Sequence, residues 1–300
     1  MSSPAVRGAY GFRFTGEPSL LERLPPVPAG WREIRLRQIA GARAARAGGA
    51  VDVGDENAEL LVPGARVVLD RRDALATVVA PQPLSADRLL HPTLGYIGST
   101  FSHWLGRLAF HGGAFRAGDG AVALLGERGD GKSSTLAWLA GAGCPPLTDD
   151  VVVLDGLTAF AGPRSIDLWP DAARALGVEQ DAQSVRGGQR ARVVPAAVPP
   201  ELPLRAWVSL GWGDGPRLRP LTPSERYAAL GAQLHVHRRG RLPGDEALLD
   251  LLALPAFELV RPRSLQSLAE SGSMLLDLGE RVTQGRTPAG PKTGALKGSG

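Results

Sequence analysis

The sequence predicts an α/β fold with a small N-terminal β-rich domain, and three stretches support this prediction. Short strand-like runs separated by tight turns occupy much of residues 32–79. The apolar run Ala121–Leu125 has the length and composition of a buried strand. It leads through a glycine-rich turn into the helical stretch Ser133–Ala142. A buried strand that passes directly into a helix is typical of α/β architecture.

The chain divides into two predicted domains and a tail. Residues 1–82 contain the strand-like runs Arg32–Ile39, Ala58–Val62, Arg66–Leu69 and Leu75–Val79. No residue pattern in this unit indicates a catalytic site, so we interpret it as a packing or recognition domain. Residues 83–282 form the larger, catalytic domain, and the Gly/Pro/Lys-rich residues 283–300 are predicted to be a disordered tail.

Within the larger domain the patterns predict helices at 85–90, 92–108, 223–234, 245–254 and 264–278. Residues 178–200 are polar and contain Gly187-Gly188, so we predict a mobile loop. Trp169 and Trp207 are expected to lie in the core.

Composition limits the classes of function. The chain has 300 residues, 43% hydrophobic content and a net charge of +4, without a Lys/Arg run interleaved with aromatic residues, so nucleic acid is not an expected partner. Cys144 is the single cysteine, which excludes an intrachain disulfide framework. The sequence shows no apolar run of bilayer length and no secretory signal. We therefore expect a cytoplasmic protein with no membrane partner, and a homo-oligomer is left open.

Residues 126–133, GERGDGKS, fit G-x-x-x-x-G-K-[S/T] at every fixed position. In this pattern the backbone N–H groups of the turn point at phosphate oxygens, and the following helix adds its positive N-terminal end. Lys132 would reach the phosphates, and the Ser133 hydroxyl would face Mg²⁺. A plain glycine-rich turn is the alternative. The predicted nucleotide-binding residues are Gly126, Glu127, Arg128, Gly129, Asp130, Gly131, Lys132, Ser133 and Ser134.

Lysine usage supports the same interpretation. The chain has 34 basic residues, and its lysines are Lys132, Lys292 and Lys297. Lys132 is therefore the single lysine outside the predicted tail. A compact ammonium suits a position among phosphates better than an arginine fork would.

Asp149-Asp150 is the candidate source of the carboxylate that such a site needs. Most of the neighbouring apolar strand, Val151–Leu154, follows the acids, whereas in the usual order the acid ends a strand. Either the acids lie at the tip of a short strand that turns back, or the next strand is antiparallel. A solvated acidic turn is the alternative.

With these landmarks in place, residues 110–155 resemble the catalytic core of the HPr kinase/phosphorylase family. That family has a His-Gly pair, a P-loop, and an Asp-Asp pair followed by an apolar strand. Here His111 precedes Lys132 by 21 residues, and Asp149 follows it by 17. The β-rich unit and the wording DDVVVLDG resemble a divergent branch, the HPr-kinase-like proteins of lasso-peptide and related peptide-maturation clusters, some of which phosphorylate a serine on a peptide.

The resemblance implies a P-loop variant of the HPr kinase/phosphoenolpyruvate-carboxykinase-like type that uses ATP and Mg²⁺. It implies transfer to a serine or other hydroxyl of a peptide or protein. Asp149 would take the hydroxyl proton, with Lys132 and His111 as its catalytic neighbours, and Ser133 and Asp150 would face the metal. Ser134 stands where HPr kinases commonly have Glu, so phosphatase activity and the HPr substrate do not carry over.

Several alternatives remain open at this level. The protein could instead be a small-molecule kinase or a nucleotide-binding regulatory module without transferase activity. His111 could be a structural histidine. His235 and His237 alternate as two metal ligands on a strand would, but a solvated pair is the favoured interpretation. Arg186, Arg190 and Arg192 could hold a phosphoryl group or an acidic peptide, or could belong to a solvated loop.

Overall fold

Three β-sheets and the helices between them make up the described part of the chain, residues 5–42, 49–235 and 245–286 of a computed structural model. The strands are β1 (Gly8–Ala9), β2 (Phe12–Thr15), β3 (Arg32–Ala40), β4 (Gly49–Val53), β5 (Asn57–Val62), β6 (Ala65–Asp70), β7 (Leu75–Ala80), β8 (Leu108–Ala117), β9 (Gly120–Leu125), β10 (Pro146–Thr148), β11 (Val151–Asp155), β12 (Thr158–Phe160), β13 (Ile166–Leu168), β14 (Gln183–Val185), β15 (Arg190–Val193), β16 (Glu201–Trp212), β17 (Arg217–Pro220) and β18 (Ala256–Arg261). The α-helices are α1 (Pro18–Leu21), α2 (Ala86–Arg88), α3 (Leu94–Trp104), α4 (Lys132–Gly141), α5 (Pro170–Ala175), α6 (Pro223–Ala232), α7 (Asp245–Ala253) and α8 (Leu268–Thr283), with a π-helical turn at Leu89–Thr93 and a 3₁₀ turn at Leu265–Ser267. The mixed α/β class agrees with the sequence-based prediction.

The N-terminal sheet has the order β1-β2-β3-β7-β6-β5-β4. The four predicted strands are β3, β5, β6 and β7. Alternation explains why they form, since Ala65, Val67 and Leu69 of β6 are buried while the residues between them are more exposed. The assignment of residues 1–82 to a separate domain stays a prediction.

The segment that joins the first two sheets is more broken than the sequence suggested. The predicted helix over 92–108 is wrong in its ends, because α3 begins at Leu94 and Leu108 already begins β8. A cis peptide joins His91 to Pro92. The apolar residues of α3 are buried, including Ile97 and Phe101.

The second sheet carries the P-loop strand β9. Its main order is β10-β8-β11-β12-β16-β18-β17, with β9 paired to β8 and β16. Strands β8 and β9 form a hairpin at Gly118-Asp119, because they pair antiparallel with Ala117 opposite Gly120. Both β16 and its neighbour β18 run parallel to the direction of β9, so their carboxyl ends lie on the P-loop side.

Residues 178–200 do not form the predicted loop. They contain β14 and β15, which pair antiparallel, and β15 pairs with β13 to complete a third sheet. Polar composition hid these strands, because two of the three residues of β14 are polar and alternate residues of β15 are arginines. The expectation for Trp169 is also wrong, since 61% of this residue is exposed, whereas Trp207 is buried as predicted.

The last three predicted helices are present, but their ends differ. Helices α6 and α7 end one or two residues before the predicted ends, and α8 covers Leu268–Thr283 instead of 264–278. Thr222 caps α6 in a capping box with Glu225. Helix α8 runs to Thr283, the first residue of the predicted tail, and residues 287–300 lie outside the described residues, as does His237. In the part of the chain that the structure describes, no helix is long and apolar enough to cross a membrane.

Candidate active site

The P-loop leaves β9 at Leu125 and enters α4 at Lys132, as the motif predicts. Gly126, Gly129 and Gly131 all have positive φ, and Gly131 at 73° adopts the left-handed conformation that glycine tolerates best. A Cβ atom at Gly131 would lie 2.9 Å from Nη2 of Arg261. Conformation and space therefore both require glycine immediately before Lys132.

Lys132 folds back onto its own loop. Its Nζ donates to the carbonyl oxygens of Gly126 at 2.7 Å and Glu127 at 2.9 Å, and lies 3.2 Å from Nε2 of His111. The Lys132 side chain is therefore buried against its own loop. Burial lowers the pKa of Lys132, and the nearby carboxylates of Asp130 and Asp149 oppose this effect.

Arg261 fixes the middle of the loop from β18. Its Nη2 donates to the Asp130 carbonyl at 2.6 Å and to the Thr135 hydroxyl at 3.2 Å. The residue is 1% exposed, and its guanidinium lies 4.8 Å from the Trp212 ring centroid. Burial lowers the pKa of Arg261 to about 10. No pattern in the sequence indicated this residue, because it is 131 positions away from Asp130.

The two acids lie where a strand pairing is interrupted. Strands β10 and β11 both pair antiparallel with β8, and the register shifts between Pro146 and Thr148. Asp149 and Asp150 follow this irregularity, and Asp150 has a φ of 75°. Because β8 is also antiparallel to β9, β10 and β11 run in the same direction as the P-loop strand. The structure therefore shows neither of the two arrangements that the sequence left open, since the acids follow the short strand β10 and the chain then continues in the same direction as β11. Irregular strands of this kind redirect side chains beside functional sites.

Asp149 faces the P-loop. Its Oδ1 accepts hydrogen bonds from the Ser133 hydroxyl at 3.1 Å and from the Asp150 N–H at 3.0 Å. Removal from solvent raises the pKa of Asp149 to about 7, and the charge of Asp150 adds to the increase. The Ser133 hydrogen bond and Lys132 oppose it. A carboxyl group with a pKa near neutrality can exchange a proton at physiological pH.

Asp150 lies between two histidines. Its Oδ1 is 3.6 Å from Nδ1 of His111, and its Oδ2 is 3.4 Å from Nδ1 of His91. Burial lowers the pKa of His111, and so does the Lys132 charge. A neutral His111 ring can therefore accept from Lys132 through Nε2 while its Nδ1 faces Asp150. His91 was missed, because no motif in the sequence contains it.

A small cavity, which has room for about one water molecule, opens on another side of Asp149. Tyr10, from the turn between β1 and β2, forms part of its wall. This residue is 2% exposed and has a φ of 58°, and its phenol hydrogen-bonds to the Thr148 side chain. We interpreted the β-rich unit as having no part in a functional site, and this is wrong. Its residue Tyr10 lines the cavity beside Asp149. The cavity is lined by Tyr10, Leu90, His91, Asp149, Pro163, Ser165 and Asp167.

The three arginines of the third sheet have different surroundings. Arg192 is 2% exposed and forms ion pairs with Asp167 at 2.6 Å and Asp87 at 2.8 Å. Arg186 lies 3.0 Å from Asp167, and the Arg190 guanidinium stacks 3.1 Å from the Trp169 ring centroid. The solvated-loop alternative is therefore wrong for Arg192, which is a buried structural residue.

The structure thus brings together Lys132, Ser133, Asp149, Asp150 and His111, while Arg128 of the P-loop is exposed. The hydroxyl of Ser133 and the carboxylate of Asp149 are oxygen donors that suit Mg²⁺, which binds proteins through one or two carboxylates plus substrate phosphates. Within the described ranges, no group of three or more His, Cys, Asp and Glu residues is arranged to hold a metal ion. Ser133 contacts Asp149, so the assignment of Asp150 to the metal stays a prediction.

Comparisons with known proteins give limited similarity. No protein-family model matches the chain. The chain is 39% identical over 70 residues to the molybdenum import ATP-binding protein ModC of Rhodospirillum rubrum, which covers 23% of this chain and 18% of that protein. This chain therefore spans less than a fifth of the length of ModC. A structural comparison with the Hpr(Ser) kinase/phosphatase from Coxiella burnetii covers 59% of this chain and 98% of that chain, with 14% identity and a TM-score of 0.33. Neither similarity is strong enough to show the family of this chain.

Proposed function

We propose that the protein is an ATP-dependent kinase that transfers the γ-phosphoryl group to a hydroxyl of a peptide or protein. The observation that carries the proposal is the position of Asp149. One carboxyl oxygen accepts a hydrogen bond from Ser133 of the P-loop, and the same residue lines the cavity. A carboxylate that lies between a phosphate-binding loop and a cavity is suitably placed to take a proton from an acceptor hydroxyl.

The P-loop side of the site holds the nucleotide. Its backbone N–H groups and the start of α4 stabilise phosphate charge, and Lys132 exchanges the Gly126 and Glu127 carbonyls for phosphate oxygens. Ser133 and one of the two aspartates hold Mg²⁺, which neutralises the charge of the phosphates. ModC, which matches this chain over 70 residues, is named as an ATP-binding protein, and this is consistent with the assignment.

The cavity side holds the acceptor. Asp149 takes the proton of the acceptor hydroxyl as the new oxygen–phosphorus bond forms and the bond to the ADP oxygen breaks. ADP leaves with the electron pair of that bond. His111 and His91 hold Asp150 in place through their Nδ1 atoms, so that Asp149 keeps its orientation. Most of the rate enhancement comes from positioning and charge neutralisation.

The acceptor class rests on the resemblance of residues 110–155 to HPr-kinase-like proteins of peptide-maturation clusters. It supports a serine of a ribosomally made peptide as the substrate. The small cavity beside Asp149 marks where the acceptor hydroxyl would approach this carboxylate.

The test is phosphate transfer from γ-labelled ATP to candidate peptides encoded beside the gene, with mass spectrometry to locate the phosphate. We expect a Mg²⁺-dependent label on a hydroxyl residue with the wild type, and loss of the label with Lys132→Met. Binding of Mg-ATP is measured separately as a shift of the thermal midpoint, which is worth about 2.7 kcal/mol at a hundredfold over Kd.

These two readouts separate the alternatives. Binding without transfer to any peptide, protein or metabolite would indicate a nucleotide-binding regulatory module. Transfer to a metabolite alone would indicate a small-molecule kinase. A wild type whose midpoint is unchanged by ATP, GTP and pyrophosphate would contradict nucleotide use altogether.

A further inference from the structure

We infer that Arg186 recognises an anionic group on the acceptor, so that the substrate carries a carboxylate close to the hydroxyl that is phosphorylated. This inference rests on the proposed kinase function and narrows its substrate class. It starts from the arrangement around Asp167, which forms part of the cavity wall together with Asp149.

The Asp167 carboxylate is already satisfied by Arg192. Its Oδ1 accepts from Nε of Arg192 at 2.6 Å, and its Oδ2 accepts from Nη2 of the same arginine at 2.9 Å. Arg192 uses its remaining nitrogen, Nη1, on Asp87 at 2.8 Å. These three residues therefore form a closed, bidentate ion-pair network.

Arg186 is an additional cation on this network. Its Nη2 lies 3.0 Å from Oδ2 of Asp167, an oxygen that Arg192 also uses. Its Nε is buried and has no hydrogen-bond partner among the described residues. Buried N–H groups normally have partners, so the guanidinium keeps unused donors next to Asp167. Arg186 itself does not line the cavity and is connected to it through Asp167.

The backbone holds Arg186 in this position at a cost. Its φ is 55°, a left-handed conformation that residues with a Cβ atom rarely adopt. It begins the turn between β14 and β15, where the next two residues are glycines. Strained residues of this kind cluster at ligand sites, and glycine would be the less strained choice if the turn alone mattered.

Charge crowding indicates the sign of the ligand. Arg190 and Arg192 lie near Arg186 and help to lower its pKa, although burial is the larger cause. Burial lowers the pKa of Arg190, and the charge of the exposed P-loop residue Arg128 lowers it further. Arg192 thus pairs with both Asp87 and Asp167, and Arg186 lies against Asp167. An anionic ligand would relieve the repulsion among these guanidinium groups. In a peptide, the carboxylate comes from an acidic side chain or from the C-terminus.

The test uses the full-length protein with three sets of peptides that each contain one serine. The serine is flanked by Asp in the first set and by Asn in the second, both with blocked ends, and it precedes a free C-terminal carboxylate in the third. We expect the wild type to label one of the two anionic sets about tenfold better than the Asn set, through a lower KM. The set that is preferred identifies the source of the carboxylate.

In Arg186→Gln, the ratio of labelling between the preferred anionic set and the Asn set should fall close to one. Arg186→Lys keeps the charge and should retain part of the wild-type ratio. The matched control is Arg174→Gln, which removes an exposed arginine of α5 that pairs with Asp171 and Glu179 and should keep the full preference. Equal labelling of the three sets by the wild type, or an unchanged preference in Arg186→Gln, would overturn the inference.

A second measurement applies if no peptide is labelled, an outcome that contradicts the peptide acceptor of the proposed function. Sodium malonate, a dicarboxylate, is titrated against the Mg-ADP complex of the wild type, Arg186→Gln and Arg174→Gln. We expect malonate to raise the thermal midpoint of the wild type and the Arg174 variant, but not of Arg186→Gln. Equal midpoint shifts in all three proteins would exclude an anion site at Arg186.

Discussion

At the scale of single residues, Asp149 has the most unusual ionisation. Because its pKa is raised to about 7 and its ionised form must accept the proton, kcat/KM should rise with pH with an apparent pKa near 7. Asp149→Asn keeps the shape and should lower turnover by about 10²–10⁴-fold, while Mg-ATP affinity changes far less. Steady-state kinetics across pH 5–9 and ADP titrations measure both effects.

Asp150→Asn is the companion variant for this experiment. If Asp150 holds the metal, the Mg²⁺ concentration needed for half-maximal activity should increase. The pH midpoint should fall below that of the wild type, because the Asp150 charge no longer raises the pKa of Asp149. Wild-type turnover in Asp149→Asn would show that this carboxylate is not the base. If Asp149→Asn alone increases the Mg²⁺ concentration needed for half-maximal activity, Asp149 is the metal ligand and Asp150 is the candidate base.

The same pKa makes a prediction about stability. The folded-state pKa of Asp149 is raised from 3.8 to about 7, so the folded protein retains a proton that the unfolded chain loses as the pH rises above about 4. Ionisation therefore destabilises the fold increasingly between pH 4 and pH 7, and the effect is constant above that. The difference corresponds to at most about 4 kcal/mol.

Asp149→Asn removes this ionisation and should be more stable than the wild type at pH 8, with the advantage disappearing towards pH 4. Urea denaturation of both proteins at several pH values measures the difference. A constant difference across this range would mean that the raised pKa of Asp149 is not a property of the folded protein.

Arg261 is the residue that holds the P-loop in shape. Replacing it with Met leaves the Asp130 carbonyl and the Thr135 hydroxyl without this donor, which should cost about 1–3 kcal/mol of unfolding free energy and weaken Mg-ADP binding. Arg263→Met is the matched control, because Arg263 is exposed and lies farther from the same Trp212 ring, at 5.8 Å. Equal effects of the two substitutions would contradict the role of Arg261.

At the scale of elements, helix α4 is held against α8 by a close approach. A Cβ atom at Gly272 would lie 2.2 Å from the Trp138 ring. Gly272→Ala should therefore displace Trp138 or separate the helices, lowering the unfolding free energy by about 1–3 kcal/mol and weakening nucleotide binding at the start of α4. Gly141→Ala is the control, because a Cβ atom at Gly141 would have nothing within 4 Å, and it should be neutral or slightly stabilising. Calorimetry with and without Mg-ADP measures both effects, and equal melting of the two variants would contradict this packing.

Elements with local signals could be predicted, and those built from distant contacts could not. The strand-turn-helix around residues 121–142 follows from apolar runs and glycines, and β3 and β5–β7 follow from alternation and turns. The pairing of β14 with β15 had no such local signal. Likewise Tyr10 and His91 reach the acids through the packing of three separate segments, and neither belongs to a motif. The candidate site was therefore predictable for its P-loop and its carboxylates but not for the cavity wall.

At the scale of the whole molecule, one of the three hydrophobic clusters of the described residues spans the two larger sheets. Buried residues of the N-terminal sheet, such as Phe12 and Leu60, belong to the same cluster as Ile97 of α3 and Val151 and Val153 of β11. Tyr10 adds a polar connection at the acids. Because α3 lies between the sheets, removing one sheet exposes an apolar face of the other. We therefore expect the molecule to unfold as one unit.

The last prediction tests this directly by truncation. A fragment of residues 83–286 keeps the P-loop, the acids and His111, but it loses the apolar partners of α3 and β11 and the Tyr10 wall. We expect it to lack a cooperative thermal transition and to expose apolar surface to a fluorescent dye, because Ile97, Val151 and Val153 would each lose burial worth about 1.5–3 kcal/mol.

Residues 1–286 are the matched control for this experiment, since deletion of the last 14 residues removes little apolar pattern and should change stability by less than about 0.5 kcal/mol. Calorimetry of the two truncated proteins beside the full chain gives the comparison. A fragment 83–286 that melts cooperatively near the midpoint of the full chain, and whose midpoint still rises with Mg-ATP, would establish an autonomous catalytic domain. In that case the N-terminal sheet would act on the site through Tyr10 alone, and Tyr10→Ala in the full chain would reproduce the activity of the fragment.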